Sequence, residues 1–283
     1  MQKLQIGLIV IVSTLYINLA EAQNYYVKAL GGYGFRIPGE TYLSDPDRKY
    51  SFYSLGKGIH FGAGAGYQFN KTIGAELYFN HIISNDHIVS FRWDENSYYK
   101  RPTNSNMWQL MPAFTLSNKL SEKCSFVSGF GPIIGIGRKF IQHEEFYLDN
   151  KKIWEEEMRF TGSTPFGAFA YLEFNYDFSN KLYAIAQFRI SALSYTPLKG
   201  EIIKYERNGV DKLDSLPINI RYREYSENYH VETSNPNVPS RYPFTSYNYS
   251  NISLQIGVGY RFIKTEENGQ SSNVKKKKKK KRR

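Results

Sequence analysis

Residues 251–262 constrain this chain more tightly than any other stretch. Ile252, Leu254, Ile256, Val258, Tyr260 and Phe262 alternate without a break against Ser253, Gln255, Gly257, Gly259 and Arg261. A side-chain period of two makes this a strand with every large apolar group on one face. The other face carries glycines beside a Gln and an Arg, where a soluble sandwich would show ordinary surface residues. Small and polar groups at that spacing suit a narrow, wet interior, and an apolar stripe ending in aromatics suits a lipid-facing surface.

The same alternation recurs along the chain. Strands are expected at Tyr25 to Phe35, Ile59 to Phe69 and Ile73 to Ile83, then around Trp108, Leu110, Phe114 and Leu116. A fifth carries Phe126, Phe130, Ile134 and Ile136 against Gly129, Gly131, Gly135 and Gly137; the next two span Phe166 to Phe178 and Leu182 to Ile190. Pro112 and Pro132 fall inside the fourth and fifth, which predicts a bulge or a weakened ladder there, because proline donates no hydrogen bond. The connections decide the topology. Asn70 to Thr72, Asn118 to Lys123 and Ser179-Asn180 are short, and each is flanked by a long one. Three of the long connections show internal structure. Ser84 to Ser105 suits a protruding hairpin, Lys139 to Ser163 has a hairpin tip at Asp149 to Lys152, and Ser194 to Ser250 combines an Asn208-Gly209 turn with strand-like Ile218 to Tyr225. Strict long–short alternation predicts an all-β, eight-stranded antiparallel up-and-down transmembrane β-barrel, with long loops on one side and short turns on the other. An even strand count puts both ends on the short-turn side.

Composition agrees. Mean hydropathy is negative and, beyond the N-terminus, no apolar run approaches the ~20 residues of a spanning helix. A barrel escapes that test, since half of its strand residues face inward. Aromatics make up 16% of the chain, with 24 Tyr and 19 Phe, as interfacial girdles need. Lys3, the apolar run Ile6 to Ala20 and the small-residue site Ala20-Glu21-Ala22 predict a signal peptide over 1–22, which leaves a barrel at 23–263. The net charge of +11 comes almost entirely from Lys275 to Arg283; without those nine residues, 28 Lys and Arg face 26 Asp and Glu. Residues 264–283 therefore read as a disordered basic tail, and no nucleic-acid role is expected. The single Cys124 has no partner for an internal disulfide.

With its strand number, Gly-rich inward faces, loop asymmetry and Gly257-Val258-Gly259-Tyr260-Arg261-Phe262 ending, the stretch Gln23 to Phe262 resembles the small outer-membrane β-barrels of the OmpA/OmpX type. It especially resembles the PorT-like barrel domain of Bacteroidota. In one departure, 21 residues follow Phe262, where members of the family end at the terminal aromatic. The resemblance implies a bacterial outer-membrane location with both termini periplasmic, and contact with outer-membrane lipid and lipopolysaccharide. It also makes Tyr260 and Phe262 the signal for the barrel-assembly machinery.

On the assigned faces, Glu76, Glu173, Arg189 and Arg261 point into the lumen, where buried charges must pair or hold water. They form either a structural plug or, alternatively, a gate for a narrow channel; single-channel recording after replacing Arg189 or Glu173 by Ala separates the two. No catalytic, cofactor or metal residues are expected. His81 near Ser84 is the best histidine for a nucleophile, and no motif fixes the two together. Glu144, Glu145, Asp149 and Glu155 to Glu157 lack the ligand spacing of a calcium loop. The chain reads as a non-enzymatic surface-binding or accessory protein whose partner, a surface protein or polysaccharide, contacts residues 194–250. An accessory subunit of a secretion or gliding machine and a lipid-modifying enzyme are the further alternatives.

Overall fold

A computed structural model describes residues 25–37, 40–43, 50–84, 89–92, 96–227 and 235–262. The signal-peptide segment 1–22 and the basic tail 264–283 lie outside the described residues, as do 85–88, 93–95 and 228–234 within the long connections.

Eight strands close on themselves: β1 (Tyr25–Arg36), β2 (Gly58–Gln68), β3 (Ile73–Ser84), β4 (Thr103–Lys119), β5 (Cys124–Leu148), β6 (Phe166–Asp177), β7 (Leu182–Tyr195) and β8 (Asn251–Phe262). Each pairs antiparallel with its chain neighbours, and β8 returns to β1. That seam is complete, from Tyr25 opposite Phe262 to Arg36 opposite Asn251. The apolar face points out: Phe61, Leu172 and Ile256 are 41%, 47% and 74% exposed, whereas Glu173 is 3% exposed. An aliphatic belt on this scale is a membrane surface rather than a water-facing one. Rings gather at its short-turn edge, where Tyr25 lies 4.7 Å from Tyr67, Tyr176 lies 5.6 Å from Phe178 and Tyr260 lies 5.1 Å from Phe262.

The inward glycines have a specific use. Tyr26, Tyr78, Tyr171 and Tyr183 stand directly opposite Gly66, Gly64, Gly129 and Gly259 on adjacent strands. Each ring lies over the bare backbone of its glycine, so a Cβ on Gly259 would come within 2.0 Å of the Tyr183 ring, and one on Gly129 within 2.4 Å of Tyr171. Large rings thus fill an eight-stranded interior that has space for side chains and little else.

Pro112 and Pro132 occupy facing positions. The β4–β5 register is the same at Leu110–Ile134 and at Phe114–Phe130, with no pairing between them. The ladder is interrupted there without a bulge, because neither proline has an N–H to give. The register shift in this pair lies instead between Asn106 and Trp108.

Above the belt the long connections are sheet. β5 runs for 25 residues, turns through Asp149 and Asn150 at φ 48° and 59° and returns as Lys151–Thr161. Lys199–Arg207 pairs with that return arm, Tyr222–Ser226 pairs with Lys199 to Glu201, and Ser240–Pro243 adds in parallel. The hairpin of Val89–Arg92 and Tyr98–Arg101 joins the other edge through Tyr98 to Lys100. Asn208 and Gly209 both have positive φ, at 52° and 73°, as a type I′ turn requires. Ile218 to Tyr225 is only partly a strand: Ile218–Arg221 forms one helical turn because the Pro217 carbonyl accepts from the Ile220 and Arg221 N–H groups at 3.0 Å, and extended chain starts at Tyr222.

Candidate functional site: a sealed lumen under a sheet platform

Alternation sends Lys28, Glu76, Glu173 and Arg189 inward from β1, β3, β6 and β7, and all four are at most 5% exposed. The cation shared by the carboxylates is Lys28: its Nζ lies 2.8 Å from Glu76 Oε2 and 2.7 Å from Glu173 Oε2. Lys28 falls on the inward side of the period-two pattern of β1, but alternation alone names no partner for it. Tyr26 Oη donates to Glu76 at 3.0 Å and Gln187 Nε2 to Glu173 at 3.0 Å. The Tyr171 ring centre sits 4.8 Å from the ammonium.

Arg189 is held differently. Its guanidinium donates to Gln187 Oε1 at 2.7 Å and 3.1 Å and to Gln255 Oε1 at 2.8 Å, and it stacks 4.7 Å from the Tyr78 ring centre. Gln187 therefore relays between Arg189 and Glu173, and the four central charges sum to zero. Arg261 stands apart at the short-turn mouth. It is paired with Asp177 at 2.6 Å and lies 4.1 Å over the Tyr183 ring. The four charges singled out in the sequence are thus brought into two groups, with Glu76, Glu173 and Arg189 in one and Arg261 in the other. Tyr260 and Phe262 sit on the outer edge of the β8–β1 seam, where Phe262 is 43% exposed.

The platform sorts its charges by face. On one face Lys100, Glu145, Glu155 and Glu206 form a cross-strand row. Lys152 pairs with Glu155 and lies 3.9 Å from Glu145, while Lys204 reaches Glu155 at 2.6 Å and Glu206 at 3.4 Å. Lys100 lies 5.1 Å from the ring centres of both Tyr98 and Tyr147, which stack on each other at 4.6 Å. The opposite face is closed by Met158, Phe160, Ile202, Tyr225 and Tyr247, all buried. There Arg101 pairs with Glu144 at 2.8 Å, and Glu156 lies 3.6 Å from Arg223. Burial pushes the Glu156 carboxyl up to about 7, Glu144 adds to the rise and Arg223 opposes it.

Glu144, Glu145, Glu155 and Glu156 thus each lie near a Lys or Arg, and Glu157 lies 3.2 Å from His143 Nδ1. His81 stacks on Trp108 at 4.1 Å on the outer face of β3, and Ser84 is buried on the inner face, so the two cannot act together. Excursion 194–250 is not a free loop: Ile202 and Tyr249 are fully buried, and its strands complete the platform.

No protein-family model and no curated protein matches the chain. Solved structures do. The outer membrane protein OprG from Pseudomonas aeruginosa is 10% identical with a TM-score of 0.43, covering 86% of this chain and 97% of its own. A major outer membrane protein from Thermus thermophilus is 11% identical at 0.39, covering 84% and 99%. Neisserial surface protein A is 11% identical at 0.38, covering 84% and 97%. Likeness at this level transfers no ligand or role, and the eight-stranded closure rests on the strand register itself.

Proposed function

We propose that this chain is a bacterial outer-membrane barrel that serves as a rigid stand for a surface-binding platform, not as an enzyme or an open channel. Both ends of the barrel, Tyr25 and Phe262, face the periplasm in this reading, and the platform faces outward. Outer-membrane lipid and lipopolysaccharide surround the belt, and Tyr260 and Phe262 mark the seam for the assembly machinery. The carrying observation is the continuation of β5 into a folded sheet that presents stacked Tyr98 and Tyr147, Lys100 and a row of paired charges. A rigid support under half-buried, already stacked aromatics lowers the ordering cost of binding. The partner is a surface protein or a polysaccharide.

Deleting Glu201 to Pro236 is too coarse a test, since it would uncover Met158 and Phe160. Replacing Tyr147 and Lys100 by Ala leaves the barrel untouched. Cells displaying the parent chain should bind one class of protein- or polysaccharide-coated surface, and the double variant should lose that binding while keeping heat-modifiable gel mobility. Equal binding by parent and variant removes the platform from the function. Copurification of a stoichiometric envelope complex would move the reading to an accessory subunit.

A further inference from the structure

The three short turns are copies of one structure. In each, the first residue donates its N–H to the carbonyl four residues on: Phe69 to Ile73 at 2.9 Å, Leu120 to Cys124 at 2.9 Å and Phe178 to Leu182 at 3.0 Å. The side chain of the second residue, Asn70, Ser121 or Ser179, accepts from the N–H of that same last residue, which holds the tip in one shape. Each tip pairs a large apolar group with a cation. Phe69, Leu120 and Phe178 are 57%, 60% and 68% exposed, and beside them stand exposed Lys71, the pair Lys119 and Lys123, and Lys181. Among the described residues none of these lysines has a carboxylate partner, and the nearby Asp177 is held by Arg261 at 2.6 Å. Four lysines against Glu122 therefore leave this rim with a net charge of +3. At the other end Arg101, Lys152, Arg159 and Lys204 are each matched by a glutamate.

A turn that meets only water gains nothing from an exposed Phe or Leu. At a membrane interface both groups have a use: the apolar residue enters the hydrocarbon boundary, and the lysine stem carries its ammonium out to the head-group phosphates. The ring pairs Tyr25–Tyr67, Tyr176–Phe178 and Tyr260–Phe262 lie at the same end of the belt. Zwitterionic lipid brings no net charge to offset +3, whereas anionic lipid does. A cell-wall polymer would match the charge and leave the apolar tips unused. We propose that the three short turns form a collar that gathers anionic phospholipid head groups around the short-turn end of the barrel. The collar rests on the reading of the belt as a membrane surface and is independent of the platform. Each lysine near an anionic head group should be worth about fivefold in affinity.

The test uses the full chain in detergent micelles, with phosphatidylglycerol and phosphatidylcholine as probes and bound lipid counted by native mass spectrometry. The parent should hold phosphatidylglycerol at least about fivefold more tightly and lose that preference in about 1 M ammonium acetate, where the screening length falls to ~3 Å. Replacing Lys71, Lys119, Lys123 and Lys181 together by Gln should weaken phosphatidylglycerol at least about fivefold and leave phosphatidylcholine unchanged. Replacing the same four by Arg should keep the preference. Residues 264–283 are present in parent and variants, so the difference between them reports the turns alone. Heat-modifiable mobility in phosphatidylcholine vesicles is read alongside. A parent that does not insert would overturn the membrane reading and the collar with it. An inserted parent that holds both lipids equally, a Gln variant with the parent's preference, or tighter binding of a soluble anionic peptidoglycan fragment than of phosphatidylglycerol would overturn the collar alone.

Discussion

Replacing Lys28 by Met removes the one cation that two buried carboxylates share. At 2.7 Å and 2.8 Å from Glu173 and Glu76, each contact has a gross attraction of ~6 kcal/mol at an effective dielectric of 20. Desolvation of the ammonium offsets most of that. What remains in the variant is the cost of two carboxylates without that counter-charge, with Tyr26 and Tyr171 still donating to Glu76 and Gln187 to Glu173. Breaking one buried pair costs ~3–5 kcal/mol, and with those donors in place we expect about 4 kcal/mol in all. Replacing Lys28 by Met together with Glu76→Gln removes one charge of each sign and leaves Glu173 balanced by Arg189 through Gln187, and should return stability to within about 1 kcal/mol of the parent. Urea unfolding in lipid vesicles, read by the mobility difference between folded and boiled forms, measures both. A loss below about 1 kcal/mol for Lys28→Met, or a double variant no more stable than the single one, would refute the charge accounting.

Two further outcomes follow from the same geometry. Glu156 has its folded value raised from 4.5 to about 7, so it favours the folded platform below about pH 4.5, and that contribution is lost as pH rises through about 7. Thermal unfolding compared at about pH 5 and about pH 8 should show platform stability falling by on the order of 2 kcal/mol, and Glu156→Gln should flatten the change; an unaltered slope would show that Glu156 does not carry it. Gly259→Ala puts a methyl group 2.0 Å from the Tyr183 ring, and should cost ~1–3 kcal/mol of folding stability, with Gly259→Ala/Tyr183→Ala recovering most of it. A single variant as stable as the parent would mean that the ring moves freely.

The barrel was legible because each of its strands meets two solvents. Lipid outside and a crowded lumen inside write a period of two that survives without any alignment, and Phe61, Leu172 and Ile256 fall where the alternation puts them. The hairpin turns at Asp149-Asn150 and Asn208-Gly209 were legible for a local reason, since residues tolerant of positive φ announce themselves. Partners across the lumen were not. Strand alternation gives Lys28 a face but no distance, so the salt bridges could not be apportioned from sequence, and Arg261 could not be separated from the central group by its register near the mouth. Platform structure was hidden for a different reason. Lys204, Glu206, Arg221 and Arg223 make both arms of the excursion look solvated, yet Ile202 and Tyr225 alternate between them into a small core that charge counting overlooks.

Opposed tyrosines and glycines also bear on whether the lumen can open. An ion-pair exchange at Lys28 would rearrange the centre of the seal only. Tyr26, Tyr78, Tyr171 and Tyr183 would still lie across the barrel, each seated over a glycine that leaves it no competing side chain to rotate against. Tyr78 and Tyr171 also face the Arg189 and Lys28 cations, at 4.7 Å and 4.8 Å, so charge and ring are coupled: the cation stabilises the ring orientation that blocks the passage. Opening a path therefore requires rings and ion pairs to move together in an interior packed to side-chain width. That coupled requirement makes the middle of the barrel a packed partition between its two ends.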